Sequence, residues 1–183
     1  LLGPEATGVF THESFGHKSE SDFMVGDETM RAEWALGKVI GQDLLTIIDD
    51  GNILGSGYTP YDDEGTRARK TYIIKDGKLR ARLHSTETSV ALAEGLTANA
   101  RAINFEFEPI VRMTTTYIEK GTRPLAEIIG EIDRGIFIDN IKHGSGMSTF
   151  TIAPARAYMI EEGRITKPVR VSVVTGSVFK TLA

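Results

Sequence analysis

The sequence predicts an α+β fold, a mostly antiparallel β-sheet domain with an N-terminal helix. Two observations carry this prediction. A helical pattern opens the chain, and the short apolar runs that follow it are nearly all joined by turns rather than by long helices. Because a parallel sheet is normally covered by crossover helices, this organisation favours antiparallel pairing.

The first predicted element is a helix in residues 4–24, with the sequence PEATGVFTHESFGHKSESDFM. Pro4 suits the first helical turn, and Glu5 lies where the helix dipole favours a negative charge. Gly8 and Gly16 lower the helical propensity. The pattern therefore predicts a helix with two weak points.

After this helix the pattern turns to strands separated by turn residues. Asp76-Gly77 between two apolar runs is a strong hairpin signal, and Glu161-Glu162-Gly163 marks a second hairpin. These signals predict strands at 44–49, 71–74, 78–83, 113–118, 135–140, 149–153, 156–160 and 164–174, short helices at 88–96 and 124–134, and a polar loop at 61–70.

The composition of the chain limits the classes of protein to which it can belong. The 183 residues are 40% hydrophobic and 25% charged, which is typical of a globular domain. The net charge of −4, without a basic stripe, argues against nucleic acid as a direct partner. No apolar run approaches the roughly 18 residues of a membrane span, so we expect no membrane association. The absence of cysteine fits a cytoplasmic protein without disulfides.

Both ends of the chain resemble cut ends. The chain opens with Leu1-Leu2-Gly3-Pro4, without a methionine, and closes on an apolar, strand-like segment. We interpret residues 1–183 as a single domain of a longer protein, truncated at both ends. A trimmed but complete domain is the alternative.

The stretch HESFGH, residues 12–17, has the composition of a metal site. In the zinc motif H-E-x-x-H, two histidines four residues apart share one helical face beside a glutamate that acts as general base. His12 and His17 are five apart, which on an ideal α-helix separates them by about 140°. Either a π-bulge or a kink near Gly16 would bring both rings together, and glycine suits either device because it tolerates a strained backbone. The spacing therefore predicts irregular helix at about residues 14–17, unless these are two ordinary histidines.

HESFGHKSESDFM resembles the signature of the TldD/PmbA family, also called modulators of DNA gyrase, and specifically of its TldD-like metallopeptidase branch. Five further stretches resemble the family in the same order. They are IIDDG at 47–51, YDDEGT at 61–66, TANARA at 97–102, RMTTTYIEKG at 112–121 and RAYMIEEGRITKPV at 156–169. The resemblance implies that residues 1–183 are the C-terminal, metal-bearing domain of such a protein.

The resemblance also implies residue roles. His12 and His17 would be zinc ligands, and Glu13 would be the catalytic general base that assists attack of the metal-bound water. The family's third ligand is a cysteine in a glycine-rich motif further along the chain, and this sequence contains no cysteine. Three alternatives follow. The cysteine lies beyond the sequence, which we favour; Glu20 or Asp22 substitutes for it; or the fragment holds no metal and is inactive.

The resemblance implies a peptidase that hydrolyses unfolded or leader peptides, as a homodimer or as a heterodimer with a PmbA-type subunit. Substrate backbone could add as a strand to a sheet edge, for which RMTTTYI is a candidate, although we favour an ordinary core strand with one polar face for this stretch. The alternative is a non-catalytic, β-rich subunit that binds peptides or a partner and has an empty metal site. Direct DNA binding that modulates gyrase is disfavoured by the net charge of −4.

A few isolated polar and aromatic residues have simpler interpretations. The acidic run at 62–64 fits a solvated turn better than a calcium loop. His84 and His143 each stand alone, and we expect hydrogen-bonding or surface roles for them. Trp34 is expected to be a packing anchor.

Overall fold

The computed structural model describes residues 1–182 and confirms the α+β fold. Its helical segments are α1 Pro4–Thr11, a π segment His12–Gly16, 3₁₀ turns His17–Ser19 and Ser21–Met24, α2 Glu28–Glu33, α3 Thr86–Leu92, α4 Leu125–Gly130 and α5 Val178–Leu182. Its strands are β1 Ile47–Asp49, β2 Thr71–Lys75, β3 Lys78–Leu79, β4 Ala100–Arg101, β5 Ile110–Val111, β6 Thr116–Ile118, β7 Arg134–Gly146, β8 Thr149–Glu161, β9 Arg164–Pro168 and β10 Val174–Ser177. These named strands pair in antiparallel fashion.

The chain divides into two compact units. One contains residues 1–14 and 120–181, and the other contains residues 15–119 with Leu182. The interpretation of residues 1–183 as a single domain stays a prediction. Within residues 1–182, no helix combines the length and the apolar character that crossing a bilayer requires.

The first unit is built on the long β7–β8 hairpin. Its sheet has the order β10-β8-β7, and β9 also pairs with β8. The predicted strands at 149–153 and 156–160 form one strand, because the β7–β8 register shifts around Pro154 and accommodates its missing N–H. The predicted strand at 164–174 is instead two strands, since β9 ends at Pro168 and β10 begins at Val174.

Helix α1 packs against this hairpin. Ala6 is fully buried in a small apolar core with Ile138 and Ala157. The rings of Phe10 and Phe150 meet edge to face, with centroids 5.0 Å apart. These contacts fix the orientation of α1, which leads directly into the HESFGH segment.

The second unit contains a four-stranded sheet of order β3-β2-β1-β6 and a two-stranded sheet of β4 and β5. The predicted hairpin forms at Asp76-Gly77, whose φ angles of 51° and 69° match the left-handed backbone of a type I′ turn. β6, which lies in the RMTTTYI stretch, is at the edge of its sheet, so the favoured interpretation of this stretch as an ordinary core strand is wrong. Trp34 is fully buried, in agreement with its predicted role as a packing anchor.

A buried polar network surrounds His84 in this second unit. The Nδ1 atom of His84 lies 3.0 Å from the Ser21 hydroxyl, and its Nε2 atom lies 3.1 Å from a carboxylate oxygen of Glu94. Burial lowers the pKa of His84 below its ordinary value, although Glu94 acts in the opposite direction. The network ties the 3₁₀ turn that begins at Ser21 to the segment that leads into α3 and to Thr88 of that helix.

His84 predicts a loss of stability in mild acid. An unfolded histidine takes up a proton near pH 6.5, whereas the lowered pKa keeps folded His84 neutral at that pH. The unfolded state then binds more protons, so the free energy of unfolding falls as the pH drops from about 6.5 toward the lowered pKa. Urea unfolding at a series of pH values measures this fall. The variant His84→Gln should flatten it, and an unchanged slope would remove His84 as its source.

Candidate metal centre

The HESFGH segment is wound as a π-helix. Regular α-helix ends at Thr11, the π segment spans His12–Gly16, and a 3₁₀ turn follows at His17–Ser19. A π-helix closes hydrogen bonds between residues five apart and therefore places such residues on one side. The predicted irregularity at residues 14–17 is confirmed. Of the two possibilities that the spacing allowed, a π-bulge or a kink near Gly16, the structure has the π winding.

Gly16 is needed in this segment for space rather than for an unusual backbone angle. Its φ of −61° and ψ of −63° are ordinary helical values. A Cβ atom built at Gly16 would lie 1.8 Å from the Sδ atom of Met113. The expectation that glycine relieves backbone strain here is wrong, because the glycine instead allows Met113 to pack directly against the helix backbone.

The π winding brings the three predicted side chains together. One potential ligand atom from each of His12, Glu13 and His17 lies within 4.8 Å of the others. His12 is exposed, and Glu13 and His17 are half-buried, so the group is accessible. Imidazole nitrogen and carboxylate oxygen are zinc ligands, and a catalytic zinc site keeps one position open. The donor set therefore fits zinc.

Glu20 and Asp22 do not belong to this group of donors. Oε2 of Glu20 lies 3.0 Å from Nδ1 of His17, and Asp22 accepts hydrogen bonds from the backbone N–H groups of Phe23 and Val111. Burial raises the pKa of the Glu20 carboxyl, against the opposing influence of His17 and Arg112. Asp22 and Oε2 of Glu20 thus have partners other than an ion, whereas Oε1 of Glu20 is buried without a hydrogen-bond partner among residues 1–182.

The glycine-rich stretch at the end of β7 lies against the motif. A Cβ atom built at Gly146 would lie 2.9 Å from Oγ of Ser14 and 3.3 Å from Cβ of Glu13. One built at Gly144 would lie 2.6 Å from a methyl carbon of Val9. This role of the stretch was not predicted from the sequence. The sequence feature that could have predicted it is the alternate placement of Gly144 and Gly146 along β7. Glycine at alternate positions leaves one face of a strand without side chains, so another element can approach closely there.

The other residues noted in the sequence have structural or surface positions. Asp62 accepts hydrogen bonds from the backbone N–H groups of Glu64 and Thr66, so the acidic run forms a turn, but the expectation that it is solvated is wrong for Asp62, which is buried. His84 lies in the buried network described above. His143 is exposed on β7. None of these residues joins the donor group of the HESFGH segment.

Comparison with known protein families shows which family has this combination of motif and fold. The model of the PmbA/TldA metallopeptidase C-terminal domain matches residues 1–183. The chain belongs to the PmbA/TldD family. The predicted resemblance to this family is therefore confirmed.

Several members of the PmbA/TldD family with curated names match the whole of this chain. A metalloprotease of Synechocystis is 40% identical over 185 residues, which are 40% of its own length. A metalloprotease of Methanocaldococcus jannaschii is 36% identical over 186 residues, or 41% of its length. The zinc metalloprotease TldD homologue of Saccharolobus solfataricus is 32% identical over 186 residues, also 41% of its length. The chain thus spans about 40% of the length of these relatives.

Solved structures share the fold of this PmbA/TldD chain. TldE from Thermococcus kodakarensis matches with a TM-score of 0.84 and 25% identity, over 99% of this chain and 42% of that one. A proposed modulator of DNA gyrase from Thermotoga maritima matches with a TM-score of 0.79 and 20% identity, over 100% of this chain and 42% of that one. The second likeness concerns the fold alone.

The packing of Gly16 yields a stability prediction. Gly16→Ala should lower the free energy of unfolding by about 1–3 kcal/mol, because the new methyl group overlaps Met113. Gly8→Ala is the matched control, since nothing lies within 4 Å of a Cβ atom there and alanine favours helix by roughly 0.5–1 kcal/mol.

The double variant Gly16→Ala/Met113→Ala completes a thermodynamic cycle for this contact. Met113→Ala removes the overlapping sulfur. The loss of unfolding free energy caused by Gly16→Ala should therefore be smaller in the Met113→Ala protein than in the wild type. Denaturant unfolding measures all four proteins. An equal cost in both backgrounds would show that Met113 does not determine the requirement for glycine.

Proposed function

We propose that this chain supplies the metal-bearing part of a cytoplasmic, zinc-dependent peptidase that hydrolyses unfolded or leader peptides. The observation that carries the proposal is the convergence of His12, Glu13 and His17 on one π-helical segment. The names of the relatives support metalloprotease activity, and the name of one supports zinc.

The proposed ligands within this chain are His12 and His17. Both imidazoles lie in the donor group, and neutral imidazole is a common zinc ligand. By the family resemblance, the third protein ligand is proposed to be a cysteine outside residues 1–183. Glu13 then remains available for acid–base work.

Glu13 is the proposed general base. The chemistry that bound zinc supplies is Lewis acidity, which polarises a carbonyl group and lowers the pKa of water. A carboxylate oxygen of Glu13 takes a proton from the attacking water as the water oxygen bonds to the scissile carbonyl carbon. Glu13 then passes that proton to the amide nitrogen as the C–N bond breaks. The half-buried position of Glu13 beside both histidines supports this role.

Two sheet edges support binding of an extended peptide. An added strand is held through its backbone, which suits substrates without a folded surface. Among the strands of residues 1–182, β6 is at the edge of the second unit's sheet, and β7 is at the edge of the first, where residues 1–3 already bond to Ile136 and Ile138. β7 is the better candidate, because its last residue, Gly146, lies against Glu13.

A homodimer or a heterodimer with a PmbA-type subunit is the proposed assembly, and the likeness to TldE supports it. That likeness also keeps one alternative function under consideration, a non-catalytic subunit that binds peptides or a partner and has an empty metal site. The convergence of His12, Glu13 and His17 favours the peptidase, because a binding subunit does not require these three residues together. Direct DNA binding has no support from the net charge of −4.

Replacement of the proposed base tests the reaction. Glu13→Gln in the intact protein should lower the rate of hydrolysis of an unfolded peptide by at least about 100-fold, because the amide cannot accept the proton. Zinc content should be unchanged, since Glu13 is not one of the proposed ligands. Hydrolysis at the wild-type rate would remove Glu13 from this role.

Metal analysis of the intact protein tests the ligands and separates the two functions. The peptidase predicts about one zinc ion per subunit, and His12→Ala or His17→Ala should abolish stoichiometric zinc. His143→Ala is the matched control and should retain the metal, because His143 is exposed and outside the donor group. Wild-type protein without zinc after exposure to the metal would favour the binding subunit.

A further inference from the structure

A buried carboxyl group lies beside His17. The side chain of Glu20 is only 1% exposed, and its Oε2 atom is 3.0 Å from Nδ1 of His17. Burying a carboxyl group costs free energy unless its hydrogen bonds are satisfied, so this placement calls for a specific partner. The His17 ring is the partner of Oε2, while Oε1 is buried without one in the described part of the chain.

Local helix geometry explains why these residues meet. The 3₁₀ turn His17–Ser19 follows the π segment, and the backbone N–H of Glu20 donates to the His17 carbonyl at 3.2 Å. In a 3₁₀ turn, side chains three residues apart lie above one another. The change of winding at His17 therefore brings the imidazole and the carboxyl group of Glu20 together.

The backbone that carries Glu20 is firmly held. The N–H of Leu83 donates to the Ser19 carbonyl at 2.8 Å, and the N–H of Ser21 donates to the Leu83 carbonyl at 3.1 Å. Leu83 is fully buried. These two bonds flank Glu20 and pin it to the second unit. The Nη1 atom of Arg112 lies 3.4 Å from the same Oε2 atom, which adds a positive charge to the carboxylate's environment.

A carboxylate in this position dictates which ring nitrogen of His17 carries the proton. A carboxylate can only accept, so the bond requires a proton on Nδ1 and leaves the lone pair on Nε2. Metal-binding histidines commonly donate their second nitrogen to a carboxylate in this way, which fixes the tautomer and the ring orientation. Glu20 lies outside the donor group, which separates this role from that of a substitute ligand.

We propose that Glu20 is a positioning residue that holds His17 as its Nδ1–H tautomer, with Nε2 presented to the metal. The inference rests on the proposed function only in treating His17 as a ligand. It assigns Glu20 no contact with substrate and no proton transfer. Its consequence in the metal-free protein, a fixed tautomer, exists whether or not the protein hydrolyses peptides.

The tautomer is measurable without metal. Intact protein with ¹⁵N-labelled histidine, stripped of metal at about pH 8, should show the His17 ring protonated on Nδ1, with the signal assigned by its loss in His17→Ala. Glu20→Gln retains an acceptor oxygen and should preserve the Nδ1–H form. Glu20→Leu should shift His17 away from the Nδ1–H form. A wild-type Nε2–H ring, or a Leu variant identical to wild type, would overturn the proposal.

Zinc affinity supplies a second readout. Competition with a chelator should show about 10–100-fold weaker zinc binding in Glu20→Leu and a smaller loss in Glu20→Gln. Glu33→Gln is the control, because it alters a carboxylate in the same unit that pairs with Lys18, and it should leave both tautomer and affinity unchanged. An equal loss of zinc affinity in Glu33→Gln would show that the loss in the Glu20 variants comes from general destabilisation, and it would overturn the positioning role.

The two sets of measurements separate this inference from the proposed function. If wild-type protein binds no zinc while His17 is fixed as Nδ1–H, the proposed function fails and the positioning role stands. If zinc binds with unchanged affinity in Glu20→Leu, the positioning role fails and the metallopeptidase proposal stands.

Discussion

Two imidazoles five residues apart can serve one ion only where the backbone leaves the α-helical winding. Regular helix would separate His12 and His17 by about 140° around the axis. The π segment His12–Gly16 removes this separation, and the 3₁₀ turn after it brings Glu20 beside the second ring. Each proposed role of a side chain in the site depends on these two changes of winding.

Unusual windings persist only where packing stabilises them. In the second unit, Met113 packs against the bare backbone of Gly16. In the first unit, Gly146 of β7 packs less closely, since a Cβ atom there would lie 2.9 Å from Oγ of Ser14 and 3.3 Å from Cβ of Glu13. A side chain at Gly16 would occupy the space that Met113 fills, and one at Gly146 would require Ser14 or Glu13 to shift. Gly16 of HESFGH and Gly146 at the end of β7 therefore contribute to the site through close packing.

The local parts of this structure could be predicted from the sequence, and the non-local parts could not. Asp76-Gly77 predicted a hairpin because its turn chemistry is contained in two residues. The spacing of His12 and His17 predicted irregular helix for the same reason. By contrast, the contact between Gly146 and Glu13 joins positions far apart in sequence, and the continuity of β8 through Pro154 depends on its pairing with β7. The link between His17 and Glu20 required knowledge of which winding follows the motif.

The central claim is that His12 and His17 bind the same ion. X-ray absorption at the zinc edge of the intact, zinc-loaded protein measures the number of imidazoles per zinc directly. The account predicts two imidazole nitrogens at about 2.0–2.1 Å, falling to one in His12→Ala under conditions of forced loading. A spectrum with one imidazole or none in the wild-type protein would contradict it.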